Sequence, residues 1–194
     1  MCIKNCLVSR VIVSLILVSA VLAGRPAVVV ADETDAATKA AAETEAAALA
    51  AIETKLEELF KEMDLFYKVG KTETGGKTFT VMYEYDGATS RITCAVRSLG
   101  VYGGKTIYSM SAWTVVSAAE SAMPPNVIKL VATDNDSLLL GNYSMSQNFQ
   151  TVYSNGTIPF DDASSAGSVF MCFAYTHVNN ASLKKKIDAI LASN

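Results

Sequence analysis

His177 is the only histidine in the chain, and histidine is the side chain best suited to carry protons near neutral pH. Set beside a serine or cysteine it could serve a nucleophilic centre. The fold would have to assemble the partners, because neither Cys94 nor Cys172 stands in a nucleophile motif. Ala166, Phe170 and Phe173 share a helical face with His177, and that setting reads as a packed histidine. A hydrolase-like enzyme using His177 is carried forward as the alternative reading. One histidine and two cysteines beyond the N-terminal segment are too few for a His/Cys zinc site. Catalytic, cofactor-binding and metal residues are therefore assigned to none of the positions.

Other chemistry-bearing patterns fail on spacing. Gly75-Gly76-Lys77-Thr78 and Gly103-Gly104-Lys105-Thr106 resemble the end of a phosphate-binding loop. Such a loop needs an earlier glycine where Lys71 and Leu99 stand, and a helix after it. Both tetrapeptides lead into strand-like sequence and read as turns. Asp134-Asn135-Asp136 resembles the start of a calcium loop, but Leu138 and Leu139 occupy its next oxygen ligand and its glycine. A turn at a helix end is expected instead. Glu57-Glu58 fall on a solvent-facing helix side. Asp161-Asp162 precede a helix and suit its positive end.

Residues 1–31 read as an export signal. Lys4 and Arg10 form the basic region, Val11 to Leu22 the apolar one, and cleavage would follow Ala23 or Ala31. The apolar run is short for a membrane span. Retention of Val11–Leu22 would give a further alternative, a membrane-tethered structural protein. Cleavage after Ala31 removes three of the 16 basic residues and no acid, leaving about −6. An acidic chain without a basic stripe is a poor partner for nucleic acid, and Lys184-Lys185-Lys186 reads as a solvated helix face. Cys2 and Cys6 leave with the signal; Cys94 and Cys172 could form one disulfide in an oxidising compartment, but with one on a strand and the other on a helix they read rather as two buried thiols.

The elements follow from periodicity. Residues 32–51 are an alanine-rich helical lead-in. Leu49, Ile52, Leu56, Leu59, Met63 and Phe66 then form one apolar helical stripe, with Gly70 as the expected end. Strands are expected over Lys77–Tyr85, with Phe79, Val81, Tyr83 and Tyr85 on one face, over Arg91–Leu99, and over Thr106–Val116. Asp86-Gly87 and Gly100–Gly104 are their turns. Pro124-Pro125 opens a short helix. Leu138–Met145 is a fourth strand, and Thr151–Phe160 a fifth, bulged or split at Asn155-Gly156. Ser164–Val178 is helical, and Leu183, Ile187 and Ile190 mark a last helix in a shifted phase beyond a break at Asn179-Asn180. The fold class is α+β, an antiparallel sheet with helices on one face, in the order α-β-β-β-α-β-β-α.

PPNVIKLVATDNDSLLLGNYSMS, then TVYSNGTIPF, then a helix ending in NNASLKKKIDAIL resembles the YbjN-like family, over Ile52 to Leu191. The resemblance implies a type III secretion chaperone-like fold for residues 52–191 and no catalytic residues. It implies a chaperone-like or regulatory surface for a protein partner, and a homodimer. The expectation is an exported non-enzymatic binding module, periplasmic or extracellular, without cofactor, with Trp113 and Tyr83 as candidate anchors.

Overall fold

The computed structural model describes residues 31–72 and 75–193. Residues 1–30 of the expected signal, with Val11–Leu22, Cys2 and Cys6, lie outside the described residues. Among the described residues no helix is long and apolar enough to cross a membrane. The chain divides into two compact units, Met1–Ala41 and Ala42–Asn194. The described part of the first is helical. The second holds all the strands.

The first helix, α1 (Ala31–Glu62), carries exposed side chains over most of residues 38–51 and then turns one face inward. Ile52, Leu56 and Leu59 are buried, as the stripe predicts, and Phe60 joins them. The helix does not run to Gly70. It stops at Glu62 because Asp64 adopts a left-handed conformation, φ 53°. Leu65 N–H then bonds Phe60 O (2.9 Å) and Asp64 N–H bonds Lys61 O (3.1 Å). This closure satisfies the last carbonyls of the helix. Phe66, expected on the buried stripe, is 90 % exposed.

An additional strand follows, β1 (Tyr67–Lys71), with Gly70 inside it. Next come β2 (Lys77–Tyr85), β3 (Ala88–Tyr102) and β4 (Lys105–Ala118). Two-residue turns join the last three, Asp86-Gly87 (φ 51° and 72°) and Gly103-Gly104 (φ 58° and 78°). Positive φ at both central residues matches the twist of a tight hairpin. Both GGKT tetrapeptides thus lie at the entry to strands, β2 and β4. Gly100 is not in the turn; it sits in β3 where the register with β4 shifts.

Helix α2 (Pro125–Asn135) buries Val127 and Val131. The fourth predicted strand is shorter than expected. It begins at Asn142 (β5, Asn142–Met145), and Leu139 before it is 95 % exposed. Strand β6 (Thr151–Pro159) is continuous through Asn155-Gly156, neither bulged nor split there. The final helix, α3 (Ala166–Ala192), is also continuous, with Ser165 as its cap. No break occurs at Asn179-Asn180. The buried face runs Val169, Phe173, Thr176, Leu183 and Ile187 at steps of three, four or seven, with Asn180 in the gap. Polar residues fill its middle, so the hydrophobic pattern alone shows an apparent change of phase.

The sheet has six antiparallel strands in the order β1-β2-β3-β4-β6-β5. One face packs on the helices in two adjoining clusters. Leu56 and Phe60 of α1 meet Phe79, Val81, Ile92, Met110 and Phe173 in the first. Val127 and Val131 of α2 meet Val116, Tyr143, Val152, Leu183 and Ile187 in the second. Helix α3 serves both and crosses the sheet between them. Each such large, fully buried side chain contributes about 1.5–3 kcal/mol. Glu53 ties α1 to the start of β2 by accepting Lys77 N–H at 2.7 Å. Glu57 accepts from Lys77 Nζ at 2.6 Å. That bond holds the ammonium above its ordinary pKa.

Candidate functional site

Among the described residues no helix packs on the second face of the sheet. Across it, strand register aligns Lys68, Thr80, Thr93, Trp113, Asn155 and Asn142 in one row, one residue from each strand. Thr80 and Thr93 hydroxyls lie 3.1 Å apart, and Ser111 and Thr157 hydroxyls 3.3 Å apart in the next row. Alternation places Met82, Arg91, Arg97 and Val115 on this face too. Glu84 is the single acidic residue in the six strands. Arg91 and Arg97 are the only arginines among the described residues, both are exposed, and neither forms an ion pair among those residues. An acidic chain thus presents a basic sheet face, which the residue totals conceal.

Trp113, half-buried, stands between two hollows of this face. The larger, about 800 Å³, is bounded by Thr78 and Arg97 from this face and by Leu49 of α1 and Val96 from the helix-covered one. The other, about 500 Å³, lies where β3 and β4 part. Their pairing ends at Thr93 and Trp113. Beyond that point β3 continues with β2 to its hairpin, and β4 continues with β6 past a register shift at Val115–Ser117. The gap exposes the polar middle of α3. Ser90, Thr114 and Asn180 reach the cleft, and Arg91, Trp113 and Tyr153 stand at its sides.

Beneath it, His177 Nδ1 lies 2.7 Å from Ser90 Oγ. Asn180 Nδ2 donates to the same oxygen at 3.4 Å, while Asn180 Oδ1 is buried with no partner. Tyr83 and Tyr85 place their rings 6.0 and 6.1 Å from the imidazole. Nearby, Ser154 Oγ bonds Thr176 O (3.0 Å) and Thr176 Oγ1 bonds Cys172 O (2.8 Å). His177 therefore sits on the helix face with Phe173, as the sequence places it, and it acquires a serine partner. No carboxylate hydrogen-bonds the imidazole among the described residues, so a nucleophilic triad has no third member here. Tyr83 is buried against Phe170, Phe173 and His177 and is not a surface anchor. Burial raises its phenol pKa, with Tyr85 adding to the effect.

Cys94 and Cys172 are both free and buried. Burial pushes both thiols up, Cys172 to about 11 despite a hydrogen bond from Thr176 that opposes the shift. Such thiols are poor nucleophiles. Among the described residues no group of three or more His, Cys, Asp or Glu could hold a metal ion. Asp134 pairs with Lys186 at 2.6 Å, and Lys184 pairs with Asp188 at 3.0 Å on the exposed side of α3.

A second surface lies at the sheet edge. Ser146 N–H bonds Thr151 O, and Phe160 N–H bonds Tyr108 O. Odd-numbered residues of β6 therefore point their backbone groups toward β5, and even-numbered ones toward β4. Strand β5 ends at Asn142, opposite Asn155. Leu140 O turns away to Asn179 Nδ2 at 3.0 Å. The N–H and C=O of Thr157 thus face an open edge. An apolar hollow of about 150 Å³ adjoins it, lined by Leu140, Met171, Cys172 and Tyr175. The β5 edge is closed by contrast. Asn135 donates to Tyr143 O (3.0 Å) and accepts Tyr143 N–H (2.6 Å), standing in for a neighbouring strand.

Comparison of the chain with protein-family profiles, with curated proteins and with solved structures finds no match in any of the three.

Proposed function

We propose that this chain is an exported, non-enzymatic binding module, chaperone-like or regulatory, that holds an extended segment of a partner protein at the β6 edge. The observation that carries the reading is the outward-facing backbone of Thr157 beside the hollow of Leu140, Met171 and Tyr175. Strand addition draws affinity from main-chain bonds and selectivity from a pocket for alternate side chains. This edge offers both, and the neighbouring β5 edge is capped. The resemblance to the YbjN-like family, with its chaperone-like fold and partner-binding role, supports the same reading. Residues 1–31, read as a signal, supply the export. A second copy pairing β6 to β6 would give the homodimer.

Panning a displayed library of random peptides against the protein tests this. Selected peptides should be extended, with an apolar residue for the hollow. Thr157→Pro, which removes the outward N–H, and Met171→Glu, which charges the hollow, should each abolish binding while the circular dichroism spectrum stays unchanged. Retention of binding by both variants would overturn the reading.

A hydrolase using His177 is favoured by one observation, the 2.7 Å contact with Ser90. A fluorophosphonate probe would label Ser90 in wild type and not in Ser90→Ala. Absence of labelling in the folded wild type removes this reading.

A further inference from the structure

We propose that the gap between β3 and β4 takes in an extended, acidic segment of a partner protein, which inserts as a strand between the two. The walls of the gap are strand edges. Tyr85 and Ala88 flank a two-residue turn and exchange backbone bonds, so even-numbered residues of β3 bond β2 and odd-numbered ones turn toward β4. Thr93 meets Trp113 there, and the ladder has no rung beyond that pair. The N–H and C=O of Arg91 and Thr89 therefore open into the gap. On the other side Thr114 faces Ser154 of β6, so the backbone of Val115 opens into the gap from β4. Paired strands lie about 4.8 Å apart, with no hollow between them. Here the hollow holds about 500 Å³, within the usual range of ligand sites, about 300–1,000 Å³.

Two facing edges select a polypeptide. An inserted strand offers N–H and C=O groups to its two sides in turn, at the strand repeat of about 3.3 Å per residue, and so answers Arg91 and Val115 together. A sugar carries hydroxyls but no such repeat. Alternation also sets the side chains of the segment. Those directed toward α3 meet a floor of Ser90, Thr114 and Asn180 and must be small. Those directed outward lie between the side chains of Arg91 and Val115. Arg91 is exposed without an ion-pair partner among the described residues, and a carboxylate on the neighbouring strand would pair with its guanidinium. The segment is thus acidic at alternate positions and small between them. Trp113 stands where the gap closes and packs against its leading end. This site is separate from the β6 edge and stands or falls independently of it.

Trp113 is the only tryptophan in the chain and lines the gap, so its fluorescence reports on occupancy. The full-length protein is titrated with the peptide acetyl-Glu-Ser-Glu-Ser-Glu-amide, with the same peptide N-methylated at both serines, and with D-glucuronic acid. The expected result is a saturable change in emission with the plain peptide. The methyl groups keep its charge and remove its donors to one wall, and should weaken binding about tenfold or more. Arg91→Gln, an exposed change, should weaken the plain peptide by a similar factor. Arg97→Gln, at the other hollow, should leave the titration unchanged. No saturable response to the plain peptide, equal affinity for the methylated one, or an Arg91→Gln titration matching wild type overturns the proposal. A loss in Arg97→Gln as large as in Arg91→Gln overturns it too, since charge alone would then attract the peptide. A saturable response to glucuronate without one to the peptide also overturns it and assigns the gap to an acidic sugar.

Discussion

Ser90 Oγ on β3 and His177 Nδ1 on α3 lie 2.7 Å apart, joining the sheet to the middle of the helix across 87 residues of sequence. The bond forms where β3 has already left β4, so the strand relies on α3 there for support. His177→Ala removes the bond and opens a space beside Tyr83 and Tyr85. The expected loss is about 2–4 kcal/mol, from an unpaired buried hydroxyl and a cavity together. Urea unfolding should show a lower midpoint at unchanged slope. A loss below about 0.5 kcal/mol, the usual range for surface substitutions, would show that the contact does not hold β3.

Gly156 and Gly141 mark two close approaches. A Cβ at Gly156 would lie 2.6 Å from Thr176 Oγ1 and 3.0 Å from Cys172 Sγ, so β6 and α3 touch with no room for a side chain. At Gly141, where φ is +80°, a Cβ would lie 2.2 Å from Asn155 O, a backbone atom that cannot swing aside. Gly156→Ala should cost about 1–3 kcal/mol by overpacking. Gly141→Ala should cost more, because strain at positive φ adds to the clash. Thermal unfolding of both variants checks the order; the reverse order would contradict the geometry.

These contacts also show where the sequence is readable. The inward alternation of Phe79, Val81 and Tyr83 and the Asp86-Gly87 turn are local signals, and they place β2 and its hairpin correctly. Strand β1, YKVGK, holds too few apolar residues to register a period. The end of α1 depends on Asp64 adopting a conformation usually left to glycine. Helix α3 reads as broken in the sequence because Thr176, His177 and Asn180 occupy its middle. Asn180 lines the cleft and His177 supports Ser90 beneath it, so the polar stretch that disguised the helix also underlies the site. Arg91, Thr93 and Trp113 are legible as strand residues. That they meet Asn180 needs the β3–β4 register, which no short-range pattern carries.

Asn135 closes the outer edge of β5 through both backbone groups of Tyr143. Asn135→Ala should cost about 1–3 kcal/mol and expose an unpaired strand edge. Amide exchange at Tyr143 should accelerate, while that of Met110 in the sheet centre stays slow. Sedimentation should also detect self-association beyond that of wild type, since a second uncovered edge invites pairing. Unchanged exchange at Tyr143 would show that the cap is dispensable.

Alkaline pH should loosen the core through the thiols before the tyrosines act. Cys94 and Cys172 have ordinary values near 9.0, and burial raises both, Cys172 to about 11 and Cys94 further. The unfolded chain therefore loses these protons first. A raised folded-state value means that the contribution is complete below pH 9 and is lost as pH climbs toward the folded value. Tyr67, Tyr83 and Tyr143, raised chiefly by burial from 10.0, add the same sign of effect about one pH unit later. Unfolding free energy should be flat with respect to these groups from pH 7 to 8.5 and should fall above 9. In Cys94→Ala the decline between pH 9 and 10 should be shallower than in wild type, even though the variant is less stable overall. Equal slopes would mean that the Cys94 thiol ionises as readily in the folded chain as in the unfolded one, which its burial between β2 and β4 forbids.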